Sequence, residues 1–390
     1  MNYRYVTEEI KTQAIEDAHL LHCNPELSHQ EYKTTEFILN VLKSLDIELP
    51  EMQPTTGVVG LLRGGKTGPT VVLRADIDAL PVEESPDHTI RSQNPGKMHA
   101  CGHDFHTAAL LGAARALCEH KQNIPGNVLF VFQPAEESTT GAVEVIKTSV
   151  FKKYPPVAFV ALHVMPDMPA GKVGVREGPL MAAQFCFSVD IQGKGGHGAT
   201  PHTTRDPLIA AVHVTEGLQS IASRWANPIE PFAFSVCSLH SGTACNIIPD
   251  TARLEGTCRF LNESYEKEAS RQVVQIANAA AQMHGCSAKV DFFHETPVTL
   301  NDPKLAVPAR KAAAAVFGEE NLFIQDLCIG SEDFSYYKNI APAFMYHVGI
   351  GATDGSSAKL HNPKMLVPDE TAAQCAELLT QAALTVLAEQ

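Results

Sequence analysis

Residues 71–78 read Val-Val-Leu-Arg-Ala-Asp-Ile-Asp, a short apolar run that delivers two carboxylates, Asp76 and Asp78, at its far end. Runs of this length, rich in Val and Leu and bounded by Gly or Pro, read as strands buried on both faces. Val58–Leu62, Val128–Phe132 and Val157–Leu162 share the texture, and a helical stretch, Thr107–His120, lies between Ala75 and Val128. That alternation predicts an α/β layer with a mostly parallel sheet. Two more of these runs end in polar side chains: Phe132 leads into Glu136 and Glu137, and Leu162 into His163. In open parallel sheets ligands bind beyond the carboxyl ends of the strands, so these side chains are expected on one rim.

Outward from this core, apolar residues recur at helical intervals from Glu8 to Asp46, with a break at Asn24-Pro25. From Ala183 the pattern changes. Phe185–Gln192, Phe232–Leu239, Thr251–Leu261 and Ala288–His294 read as strands, and Asp206–Trp225 and Tyr265–His284 as helices. The order β-α-β-β-α-β predicts a small α+β domain, a four-stranded sheet with two helices on one face, inserted into the first. Its expected span is 183–296. The segments 1–182 and 297–390 would form the catalytic domain, closing with a helix at Pro303–Phe317, a strand at Ala343–Val348 and an amphipathic helix from Asp369 to Ala388. A chain of 390 residues favours two domains on length alone.

Composition narrows the function. With 44% hydrophobic and 19% charged residues the chain is that of a globular protein, and no window approaches the ~20 apolar residues of a spanning helix. Its 30 basic and 44 acidic side chains give a formal charge of −14, with no basic run, which argues against nucleic acid. The opening segment, Met1–Lys11, lacks the apolar core of a signal peptide. The ten cysteines are scattered singly, as in a reducing compartment, so a cytoplasmic location is expected.

The densest chemistry lies in Met98-His99-Ala100-Cys101-Gly102-His103-Asp104, where a thiol and imidazoles alternate ahead of a helix start expected at Asp104–Thr107. That donor mix suits zinc, manganese, nickel or cobalt better than magnesium or calcium. A loop with a buried cysteine and capping side chains is the plain structural alternative. Glu136 and Glu137 follow a buried strand, and adjacent side chains there point in different directions, so one can ligate while the other takes a proton from water. His163 and His361 are ordinary taken singly, and Asp76 and Asp78 could orient a ligand or cap the turn at Pro81.

Together these segments resemble the hippurate hydrolase and indoleacetyl-amino-acid hydrolase group of dinuclear metal amidohydrolases, which is related to aminoacylase and carboxypeptidase G. RADIDALP (74–81), MHACGHDFHTAALLGAA (98–114), FQPAEES (132–138), ALHV (161–164), GKGGHGATPH (193–202), NIIPD (246–250), GSEDFSYY (330–337) and LHNP (360–363) occur in that family's order. The resemblance implies two divalent ions (Mn2+, Zn2+, Ni2+ or Co2+) on Cys101, His103, Glu137, His163 and His361. It further implies Glu136 as general base and then acid, and Asp78 as the carboxylate that orients the centre. The inserted domain would be a lid that also mediates homodimerisation, with His197 donating to the oxyanion, Asn246 holding substrate polar groups and Arg259 the substrate carboxylate. Glu332 occupies a ligand position in some relatives but is not assigned one here.

The expected reaction is hydrolysis of an N-acyl amino acid to a carboxylic acid and a free amino acid. Narrower variants of the same chemistry are an N-acetyl-diaminopimelate deacetylase and a dipeptide carboxypeptidase. A non-catalytic dimeric protein that binds an amino acid conjugate is the alternative of another class, and such a protein should have lost Glu136 or a ligand. Neither is lost.

Overall fold

The Val71–Ala75 run lies inside a longer strand, Lys66–Asp76, whose last seven residues are all buried. A computed structural model describes residues 3–389. In it this strand pairs in parallel with Pro125–Gln133 on one side and Pro156–Pro169 on the other. The full sheet has seven strands in the order Val58–Arg63, Pro125–Gln133, Lys66–Asp76, Pro156–Pro169, Ala343–Gly351, Val173–Gly174, Leu322–Phe323. Pairing is antiparallel for Val58–Arg63 and between Ala343–Gly351 and Val173–Gly174, and otherwise parallel. The mostly parallel sheet expected from the sequence is therefore present. Val71, Leu73 and Phe130 share one apolar core with Leu110 and Leu117 of the helix His103–Glu119 and Leu378 and Leu379 of Glu370–Ala388. Each such side chain contributes about 1.5–3 kcal/mol on burial.

Three local readings differ from expectation. The strand read as ending at Leu162 continues to Pro169, so His163 is an interior residue, opposite His347 of the parallel neighbour. The last helix is not amphipathic: it is buried on nearly every side, Glu377 included. Gln374, Glu377 and Gln381 make a polar stripe at helical spacing that mimics a solvent face. Instead, the Glu377 carboxylate accepts the N–H groups of Arg4, Tyr5 and Val6 at 3.1, 2.9 and 2.8 Å, pinning the amino-terminal segment over it.

The third difference is the start of the helix after Cys101, which begins at His103 rather than at Asp104–Thr107, with Gly102 as its cap at φ 86°. A Cβ at Gly102 would lie 2.4 Å from Val164 Cγ2. Positive φ and a clash in the core act in the same direction, so Gly102→Ala should destabilise by about 2 kcal/mol or more. Urea unfolding checks this, and an unchanged midpoint would refute it.

By compactness the chain divides into two units: Met1–Gly178 with Leu300–Asp326 and Asp333–Gln390, and Pro179–Thr299 with Leu327–Glu332. The second holds a four-stranded antiparallel sheet in the order Ser287–Thr296, Ala183–Gln192, Thr251–Phe260, Phe232–Ser241. Alternate residues Phe185, Phe187, Val189 and Ile191 face inward and pack with Val214 and Leu218 of the helix Pro207–Ser220 and Val273 and Ala277 of Tyr265–Met283. A short ribbon pairs Gly196–His197 with Ile247–Ile248 in the same unit.

Candidate metal centre

Asp78 sits just past the end of Lys66–Asp76, and its carboxylate organises everything around it. One oxygen accepts the N–H of Glu136 at 3.0 Å; the other accepts the N–H of Glu137 at 3.0 Å and the Ser28 hydroxyl at 2.6 Å. Its backbone carbonyl lies 2.9 Å from His103 Nδ1. A carbonyl only accepts, so Nδ1 carries the proton and Nε2 turns its lone pair into the site. His163 is fixed in the same way, Nδ1 donating to the Val164 carbonyl at 2.7 Å and Nε2 lying 3.5 Å from Cys101 Sγ.

Glu137 Oε1 lies 3.4 Å from His361 Nε2 and 4.0 Å from His103 Nε2. Cys101, His103 and His163 converge as one set of donor atoms within 4.8 Å of one another, and Cys101, Glu137 and His361 as a second. Cys101 belongs to both. His361 is the exposed member; its loop position, at φ 63°, is held by its N–H on the Ala100 carbonyl at 2.7 Å. His103 Nε2 and Glu137 Oε1 are buried with no hydrogen-bond partner among the described residues. Native interiors rarely leave such atoms unsatisfied. A thiol, three imidazoles and a carboxylate with two orphaned donor atoms fit divalent transition-metal ions, and oxygen-only cations poorly.

The electrostatics agree. Burial, with Glu137 and Glu136 nearby, pushes the Cys101 thiol well above its usual range. Burial opposes ionisation of His103, yet Asp76, Asp78 and Glu137 outweigh it and raise the ring to about 10. Burial, then the neighbouring His106, pushes His163 well below its ordinary value. The acidic neighbours thus favour positive charge at His103, the charge that an ion held on Nε2 would supply.

Other nearby groups are already committed. His106 Nδ1 lies 2.6 Å from Asp76 Oδ1 and its Nε2 accepts the Val164 N–H at 3.0 Å, so neither nitrogen is free to ligate. The other Asp76 oxygen accepts from Arg74 at 2.6 Å. His22 bridges Asp104 and Glu84 at 2.7 and 2.8 Å. Glu136 is 7% exposed; its N–H is held by Asp78 and its Oε1 accepts the Asp333 N–H at 3.4 Å.

Of the residues singled out in the sequence, the first unit brings together Asp78, Cys101, His103, Glu136, Glu137, His163 and His361. His197, Asn246 and Arg259 belong to the second unit. There His197 and Asn246 are neighbours: Gly198 N–H donates to the Asn246 carbonyl at 2.9 Å. His197 Nδ1 accepts the Ala199 N–H at 3.0 Å. Arg259 donates to Gln184 Oε1 at 3.0 Å across the sheet. Sequence reasoning missed Ser28, Glu31, whose Oε1 accepts the Ala135 N–H at 2.8 Å, and the contact of Arg74 with Asp333 Oδ1 at 3.0 Å. Only Arg74 carried a signal, its position two residues from Asp76 on one strand face.

A mostly parallel α/β sheet presenting this donor set, with a second carboxylate beside it, makes the protein a metal-dependent amidohydrolase. The chain belongs to peptidase family M20/M25/M40, whose profile matches residues 72–385. It is 37% identical over 369 residues to thermostable carboxypeptidase 2 of Saccharolobus solfataricus, covering 93% of this chain and 92% of that one. It is 37% identical to the IAA-amino acid hydrolase ILR1-like 4 of Arabidopsis thaliana, covering 90% and 80%. Among solved structures, the Bacillus subtilis YXEP protein, a dinuclear metal binding peptidase from the M20 family, matches with a TM-score of 0.85 and 32% identity, covering 98% of this chain and 99% of that one.

Proposed function

We propose that the protein hydrolyses the amide bond of N-acyl-L-amino acids, releasing a carboxylic acid and a free amino acid, with Cys101, His103, Glu137, His163 and His361 holding two divalent ions of manganese, zinc, nickel or cobalt. The observation that carries this reading is the division between adjacent glutamates. One Asp78 carboxylate fixes both backbone amides, while Glu137 Oε1 turns to His103 and His361 and Glu136 Oε1 to the Asp333 N–H. The carboxypeptidase and the IAA-amino acid hydrolase named above both support an amide with an amino acid on the amine side.

The chemistry that ions bound at such a donor set supply is Lewis acidity, which acidifies water and polarises a carbonyl. Glu136 takes the proton of the attacking water and returns it to the departing amine nitrogen. His197 donates to the developing oxyanion: its Nδ1 is occupied by the Ala199 N–H, which leaves the ring proton on Nε2. A donor of this kind is worth about 3 kcal/mol of barrier. Asn246 holds substrate polar groups, and Arg259, half-buried, grips the substrate carboxylate through a planar fork suited to it. The second unit acts as the lid and as the surface through which two subunits pair. No described helix is long and apolar enough to cross a membrane. The ten cysteines are free, which supports a cytoplasmic setting.

A panel of acetyl, benzoyl and indoleacetyl L-amino acids and dipeptides, assayed with added Mn2+ or Zn2+, tests the proposal. Turnover of the acyl amino acids is expected, with loss of activity when the substrate carboxylate is amidated. Preference for dipeptides would shift the reading to a carboxypeptidase. No turnover on any member by metal-loaded protein would sink it.

A further inference from the structure

Three successive backbone amides at the corner before the glutamates donate to buried carboxylates. Asp78 takes the N–H groups of Glu136 and Glu137, and Glu31 takes that of Ala135 at 2.8 Å. Glu31 is fully buried, and its second oxygen accepts the Thr56 hydroxyl at 2.8 Å. Ala135 itself has φ 54°, a left-handed conformation that costs a residue with a Cβ. Its carbonyl is tied as well, accepting from Ser138 Oγ at 3.1 Å and from the N–H of Gly141 at 3.2 Å. Left to local preference, Ala135 would relax to negative φ, rotating the next peptide and swinging Glu136 away.

The clamp on this residue comes from far away in sequence. Glu31 lies at the end of the loop that joins the helices Glu8–Cys23 and Tyr32–Ser44, and that loop also supplies Ser28 to Asp78. Burying a carboxylate is costly unless it is hydrogen-bonded, and Glu31 directs one oxygen to a single backbone N–H. Oε1 of this buried carboxylate is thereby committed to the left-handed turn at Ala135.

We infer that Glu31 is a positioning residue for the proposed base: through the Ala135 N–H it holds the left-handed turn that aims Glu136. It touches no reacting atom. The inference rests on the assignment of Glu136 above, and it extends the active-site apparatus to the loop after the first helix.

The test uses the full-length, metal-loaded enzyme and its best substrate from the panel. Glu31→Ala should lower kcat ~100-fold, the scale on which a misplacement of about 1 Å acts, with KM and bound metal by elemental analysis near those of the parent. Glu31→Gln keeps a carbonyl oxygen for the Ala135 N–H and should retain most of the parental kcat. Adding Ala135→Gly to Glu31→Ala should recover about tenfold in kcat, because glycine reaches positive φ without the clamp. Thr56→Val, which removes only the bond to the other oxygen of Glu31, should lower kcat in the same sense and serves if Glu31→Ala unfolds. The inference is overturned if Glu31→Ala keeps its kcat, if glycine at 135 recovers nothing, or if the loss falls on KM or metal content instead. An inactive parent would fail the proposed function itself; an active parent with an indifferent Glu31 would fail only this inference.

Discussion

Glu136→Gln is expected to lower kcat by about 1000-fold while leaving bound metal and the unfolding midpoint close to those of the parent. The replacement is isosteric. It keeps the backbone N–H on Asp78 and an oxygen for the Asp333 N–H, so the corner should stand. What it removes is the ability to take a proton from water and pass it to the amine. Glu136 does fall within one candidate donor set, with His103 and Glu137, so an alternative in which it ligates must be separable. Metal content separates them. Glu137→Gln, which alters the oxygen lying between His103 and His361, should lose metal, whereas Glu136→Gln should not. Steady-state kinetics with elemental analysis on both variants decides the matter. A Glu136→Gln protein that turns over at the parental rate, or that loses metal as Glu137→Gln does, would end its assignment as base.

The rim of this site was legible because the chemistry sits at strand ends, and strand ends announce themselves by a change from Val and Leu to charge. Asp76, Asp78, Glu136 and Glu137 all follow that rule. His163 broke it: Pro166 and Asp167 look like the end of a strand, yet pairing with Ala343–Gly351 carries the ladder through to Pro169. A partner strand nearly two hundred positions away cannot be read from local pattern. The same limit hid the last helix, where the polar stripe Gln374, Glu377 and Gln381 reads as solvent-facing until the amino-terminal segment is laid over it. It also hid Glu31, a glutamate in a polar loop, indistinguishable from a surface residue without its contact to Ala135 104 positions on. Residues that do chemistry carried their own signal; residues that hold them in place did so only through distant partners.

Arg74→Leu should cost about 3–5 kcal/mol of stability, more than any other single change discussed. The Arg74 side chain is fully buried beneath the rim. Its guanidinium donates to Gln133 Oε1 at 3.0 Å, Asp76 Oδ2 at 2.6 Å and Asp333 Oδ1 at 3.0 Å. Two effects oppose each other. Leucine is apolar and would pack among strand residues, which favours the variant by a fraction of the ~2 kcal/mol of a buried Leu. Against that, two carboxylates stay in the interior without their cation, and removing one partner of a buried ionic group is the costly case. His106 on Asp76, and Gln133 and the Ala142 N–H on Asp333, soften the loss without replacing the charge. The surface pair Arg63–Glu48, with side chains 58% and 44% exposed, gives the contrast: Arg63→Leu should change stability by less than ~1 kcal/mol. Adding Asp333→Asn to Arg74→Leu should restore part of the deficit by removing one stranded charge. Urea unfolding of the three variants settles it. Equal costs for Arg74→Leu and Arg63→Leu would mean that the buried network contributes nothing beyond an ordinary surface pair.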